Sequence, residues 1–191
     1  MALLEPSVYA GTDADHAHRN EGRSAICASG AAMIGGIFLA KVFPGAPLFV
    51  FASATAWVAG SLTGSPVFRV DHLEGWVVLL ANAPVVVTLA CSATDYFIIV
   101  AGLIGFQVAR GRTRVLFAAV IGLIAALPIA VFVNAIRIIT VAYAHPWFIS
   151  RLPAAYGPFL HMLAGAAVFL PSLIVLNLLL ENYGRHRHFH A

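Results

Sequence analysis

Long apolar runs broken by short polar stretches occupy most of this chain, and that pattern predicts helices that cross a bilayer. A crossing needs about 20 mostly apolar residues, because roughly 30 Å of hydrocarbon is covered at about 1.5 Å per residue. Five runs meet or approach that length, at about 26–43, 47–63, 93–109, 115–143 and 161–180, the first two being the shortest. Between the second and third runs the period changes. Val67-Phe-Arg-Val70, Trp76-Val-Val-Leu-Leu80 and Pro84-Val-Val-Val-Thr-Leu89 are short β-branched or aromatic runs separated by Asp71-His-Leu-Glu-Gly75 and Ala81-Asn-Ala83. They predict a small extracytoplasmic β-hairpin over the helix ends; the alternative is a tilted or re-entrant apolar segment, since Trp76 to Leu89 carries no charge. The expected fold is an all-α polytopic membrane protein with about five transmembrane helices and a β-hairpin segment. In chain order it has a polar tail 1–25, two helices in 26–63, the β-rich segment 64–92, further helices in 93–180 and a basic tail 181–191.

Composition agrees with that reading and narrows it. Of 191 residues 61% are hydrophobic and 10% charged, against about 25% charged in soluble domains, and the mean hydropathy is +0.90. A secreted globule, a disordered chain and a nucleic-acid binder are excluded, the last because 11 Lys+Arg make no basic face. Two cysteines, Cys27 and Cys91, give neither a disulfide framework nor a metal knuckle. The first 25 residues mix acids with Arg19 and Arg23 and do not read as an export signal. Lys and Arg in short loops stay cytoplasmic, so Arg110, Arg112 and Arg114 place their loop inside. Strict alternation then puts 64–92 outside, Lys41 inside, the N-terminal tail outside, 144–160 outside and the tail Arg185 to His190 inside.

Depth measured from the cytoplasmic arginines aligns three reactive side chains. Cys91 lies 19 residues before Arg110, about 28 Å at helical rise. Arg137 lies 23 residues after Arg114, about 35 Å in a straight helix and less if Pro128 kinks it. His161 lies 20 residues before Glu181, about 30 Å. Each has an ordinary alternative. Cys91 reads either as a small buried hydrophobe or, directly before the capping-box variant Ser92-Ala-Thr-Asp95, as a thiol whose pKa the helix dipole lowers. Arg137 either snorkels to headgroups or serves as a fixed cation beside a thiolate or oxyanion, with Asn134 at i−3 to orient it. His161 is an interfacial histidine or a general acid or base. His72 and His145 lie outside as rivals, and the tail histidines His186, His188 and His190 suit headgroups better than a metal.

Ala90-Cys-Ser-Ala93 after a β-rich segment, Asn134-Ala-Ile-Arg-Ile138 late in a long helix and His161-Met-Leu-Ala-Gly165 opening the last one resemble the exosortase/archaeosortase family of integral-membrane sorting enzymes. The resemblance covers about residues 60–180 in order, and among subtypes it is closest to the compact exosortase K type. It implies a cysteine transpeptidase or protease of the cell inner membrane whose site faces the periplasm. Cys91 would be the nucleophile, Arg137 the oxyanion or thiolate stabiliser and His161 the acid/base, with Asn134 and Ser92 in support and no metal or cofactor. Its partners would be membrane lipids and exported proteins ending in a Pro-Glu-Pro-type motif, a transmembrane helix and a basic tail. One departure stands out: the family usually has Gly after Cys-Ser, where this chain has Ala93. Two other classes compete with the enzyme. One is a non-catalytic membrane scaffold or assembly factor, in which Cys27 pairs with Cys91. The other is a small transporter subunit using Arg137 to bind an anion.

Overall fold

The computed structural model describes residues 10–42, 46–70, 75–80, 83–88, 93–110, 114–149 and 156–188. It contains five helices, α1 (Ala10–Val42), α2 (Ala46–Thr63), α3 (Thr94–Arg110), α4 (Val115–Ile149) and α5 (Gly157–His188), and three strands, β1 (Val67–Val70), β2 (Gly75–Leu80) and β3 (Ala83–Thr88). Helical backbone reaches further than the apolar runs at both ends of the chain. In the N-terminal tail the alanines at 10, 14 and 17, and Asp15 and Arg19 at i, i+4 spacing, favour it. α4 also runs on through Pro128 without a break and takes in His145, which the sequence placed in a connection.

α3 is the centre of a bundle with α1, α4 and α5, and small residues let the first three approach closely. A Cβ on Gly105 of α3 would stand 3.3 Å from the Ala28 carbonyl oxygen of α1 and 3.6 Å from the Ala118 carbonyl oxygen of α4. One on Gly122 of α4 would meet the Ala101 carbonyl oxygen at 2.5 Å. Lipid tails are as apolar as leucine, so helices in a bilayer gain most from such close backbone packing. The alanines 25 and 28 of α1 complete the layer against Ala109 and Ala118.

These contacts fix the direction of α1. Its residues 25–28 lie beside the Arg110–Arg114 end of α3, while Gly36 faces Phe97 and Ile98 at the other end. α1 is therefore antiparallel to α3, its polar N-terminal part belongs to the arginine end of the bundle, and Lys41 belongs to the opposite end, where the sheet lies. The alternating topology, with Lys41 and the 110–114 loop on one side, is corrected by this finding.

The error came from α2. Phe49 near its start packs edge-on against Trp76 of β2, at 4.6 Å between centroids, and a Cβ on Gly60 near its end would run into the Val67 side chain of β1. α2 lies along one face of the sheet instead of crossing the bundle. Its other face carries Phe51 onto Phe97, at 5.3 Å between centroids, and Thr55 onto Asn134 of α4. The expected five crossings reduce accordingly. Among the described residues three helices are long and apolar enough to cross a membrane, over Gly22–Lys41, Val115–Ala144 and Met162–Asn182; α3, at 17 residues, lies between α1 and α4 and antiparallel to both.

The expected hairpin is a three-stranded antiparallel sheet in the order β1-β2-β3, with Phe68 opposite Val77 and Val77 opposite Val86. Alternation along β2 buries Trp76, Val78 and Leu80 and exposes Leu79. The buried set joins Ala52 and Ala56 of α2, Val87 of β3 and Ile138 of α4 in one apolar cluster. The sheet is thus fastened to the end of the bundle where α3 begins.

Reporter fusions test this arrangement. A fusion at residue 22 should give the same sign as one at 112, and a fusion at 44 the opposite sign. Equal signs at 44 and 112 would contradict it.

Candidate active site

The stretch of α4 that carries Arg137 is tied down one turn earlier. Asn134 is fully buried, and its Nδ2 donates to Oγ1 of the equally buried Thr55 at 3.3 Å. Such a bond between membrane helices is worth about 0.6–2 kcal/mol. It holds α4 against α2, which in turn holds the sheet. The sequence reading had Asn134 orienting Arg137 and did not supply this partner, because Thr55 lies 79 residues away in the chain.

Arg137 is half-buried. α4 runs toward the sheet end and helical side chains lean toward their own N-terminus, so the side chain leans back toward the bundle. It packs against Gly165 of α5, where an added Cβ would stand 3.0 Å from Nε and 3.5 Å from Cζ and Nη2. Its Cζ is 5.2 Å from the centroid of the Phe169 ring. A guanidinium over a ring face gains about 0.5–2 kcal/mol, more as water is removed, and this offsets part of the cost of holding a cation at membrane depth.

Gly165 and Phe169 follow His161 at i+4 and i+8, on one face of α5. The structure therefore brings Arg137 to the stripe of α5 on which His161 stands one turn further from the arginine end; the His161 side chain lies outside the described residues. Phe169 also stacks on Tyr96, in the first turn of α3, so the start of α3 lies at this same level. Cys91 and Ser92 precede that turn and lie outside the described residues, as does His72; of His145 only the helical backbone is described.

Helical geometry begins at Thr94, and the Ala93 carbonyl accepts from the Phe97 amide at 3.0 Å; Ser92, the first residue of the expected capping box, lies outside the described residues. Asp95 falls in the first turn, where a carboxylate complements the dipole. Ala93 has φ 49°, in the left-handed region, where a Cβ costs about 1–2 kcal/mol and glycine costs almost nothing. That gives a backbone reason for a glycine after Cys-Ser. Ala93→Gly should raise the thermal midpoint of the purified protein, and the β-branched Ala93→Val should lower it. A glycine variant no more stable than the valine variant would contradict the strained backbone at Ala93.

Cys27 is exposed and free. It adjoins Ala28, at the arginine end, the far end of α3 from Ala93. The Cys27–Cys91 pairing of the scaffold alternative involves a residue outside the described ones; Ala93, two residues after Cys91 in the sequence, stands the length of α3 from Cys27. At that end Gln107 Nε2 donates to Asn177 Oδ1 at 3.1 Å, and Asn177 Nδ2 donates to Glu181 Oε1 at 2.9 Å. Among the described residues no group of three His, Cys, Asp or Glu stands close enough to hold a metal ion.

A bundle of long apolar helices capped at one end by a sheet, with an arginine packed between helices beneath the cap, defines a polytopic membrane protein. The transmembrane exosortase family matches residues 25–178, and the chain belongs to that family. No curated protein and no solved structure matches it.

Proposed function

We propose that this chain is a membrane-embedded cysteine endopeptidase or transpeptidase that cuts C-terminal sorting signals from exported proteins on the extracytoplasmic side. The observation that carries the reading is the seating of Arg137 on the His161 stripe of α5, level with the helix that Cys91 precedes by three residues. Family membership supports the reaction class.

In this mechanism the Cys91 thiolate attacks the scissile carbonyl, with the positive end of α3 and the Arg137 guanidinium favouring the anion. As the carbonyl oxygen gains charge, Arg137 stabilises it. His161 gives a proton to the leaving amine; imidazole is the side chain suited to proton transfer near neutral pH. The resulting thioester passes to an amine acceptor or to water. The substrates are exported proteins ending in a Pro-Glu-Pro-type motif, an apolar helix and a basic tail, and the compact chain suits the exosortase K type.

Orientation follows from charge. With α1 reversed, the arginine end takes Arg19, Arg23, Arg110, Arg112, Arg114, Arg185 and Arg187, seven of the 11 Lys+Arg. That end is cytoplasmic by the positive-inside tendency, and the site at the sheet end faces the periplasm of an inner-membrane protein.

The acid/base assignment is tested by exchange of histidines. His161→Ala should stop processing of an exported reporter carrying such a signal, while His145→Ala and His72→Ala retain most of it. Loss in His145→Ala or His72→Ala with retention in His161→Ala would move the role to the other histidine and leave the cysteine chemistry standing.

A further inference from the structure

Arg137 is seated on a structure wider than its own helix. Phe169, whose ring faces its guanidinium at 5.2 Å, is itself stacked on Tyr96 with centroids 4.5 Å apart and planes 20° apart. Tyr96 is only 3% exposed. Its hydroxyl is 2.6 Å from Ser172 Oγ, and Ser172 Oγ donates to the Phe169 carbonyl at 2.7 Å, so the tyrosine is the donor of the pair. The series runs from guanidinium to ring, ring, hydroxyl and backbone carbonyl, across α4, α5 and α3.

Each part of this series restricts the next. An arginine side chain carries about 2 kcal/mol of rotamer entropy, and a snorkelling arginine keeps that freedom. This one has Gly165 on one side, where even a methyl would crowd Nε, and a ring face on another. The ring cannot swing away, because Tyr96 backs it and the Tyr96–Ser172–Phe169 bonds pin tyrosine and phenylalanine to the same turn of α5. Asn134, one turn earlier on α4, bonds Thr55 and fixes the α4 backbone beside Arg137. Such bracing suits a charge that must meet a developing anion without rearranging, since preorganisation is what gives electrostatic stabilisation its strength.

Resting on the reading of Arg137 given above, we infer that Phe169, braced by Tyr96, is the positioning residue that holds the Arg137 guanidinium in place for the reaction at Cys91. Its chemistry is that of a platform: the aromatic face is required and the hydroxyl of a tyrosine at 169 is not.

The test uses the full chain with Cys27→Ala in lipid vesicles, with iodoacetamide as probe and the rate of Cys91 alkylation at neutral pH as readout. Arg137→Ala should slow alkylation about tenfold, and Phe169→Leu about three- to tenfold, in line with loss of a desolvated cation–π contact. Phe169→Tyr should react within about twofold of the parent. In the Arg137→Ala background Phe169→Leu should cause no further slowing, which separates positioning from general damage to the fold. The proposal is overturned if Phe169→Leu reacts like the parent while Arg137→Ala is slow, or if it slows alkylation equally with and without Arg137. An Arg137→Ala chain as reactive as the parent removes the reading of Arg137 itself, and the proposal with it.

Discussion

Cys91→Ala is expected to abolish processing of an exported reporter that ends in a Pro-Glu-Pro-type motif, an apolar helix and a basic tail, while the variant still inserts and folds. The two halves of that result come from different physics. Alanine takes the place of a small thiol with little change in packing, so the helix that begins at Thr94 keeps its place against α1 and α4. Covalent catalysis, in contrast, has no substitute for the attacking sulfur. Cys27→Ala should process normally, because Cys27 lies at the arginine end of the bundle, the length of α3 away from the site. Comparing the mobility of the reporter in the two variants decides the point, and cleavage by Cys91→Ala would end the thiol-enzyme reading.

Arg137→Lys is expected to be nearly as damaging although it keeps the charge. The guanidinium carbon stands 5.2 Å from the centroid of the Phe169 ring, and the group packs against Gly165, so its shape is used as well as its charge. An ammonium on a flexible stem neither packs in this way nor presents two donors in one plane. Loss of an oxyanion donor costs about 10²–10³ in rate, and the lysine variant should fall in that range. Snorkelling to headgroups would be served equally by lysine, so near-normal processing by Arg137→Lys would return Arg137 to the role of an interfacial anchor. Gly165→Ala offers an independent check, since its methyl would stand 3.0 Å from Nε and shift the guanidinium with the charge and its donors intact.

Where the sequence was legible, one periodicity decided the outcome. Gly, Asn and Asp between short β-branched runs marked the strands almost to the residue; the expected run 93–109 lies within one residue of α3 at each end. Alternation of sides failed because it treats every apolar run as a crossing. α2 has 18 residues and no charge between Ala46 and Thr63, as a crossing helix would, and what makes it lie along the sheet is the presence of Trp76 and Val67 to pack against, which a one-dimensional pattern does not carry. The reversal of α1 follows from that one helix. The convergence of Arg137 with the His161 stripe was half legible: depth put both at one end, but the face of α5 that meets Arg137 shows only in the contact with Gly165, and Asn134 meeting Thr55 is a contact across 79 residues that no local pattern carries. Phe169, Tyr96 and Ser172 left no sequence signal, because an aromatic and a hydroxyl in a membrane helix look like filling until their partners across helices are known.

The central claim is that Cys91 forms a covalent acyl intermediate at the sheet end of this bundle. Acid quenching during turnover of the reporter, followed by mass spectrometry of the peptide containing Cys91, measures it most directly. The account predicts a substrate-derived acyl group on the Cys91 sulfur that hydroxylamine removes. Turnover with an unmodified Cys91, or with the acyl group on another residue, would contradict it.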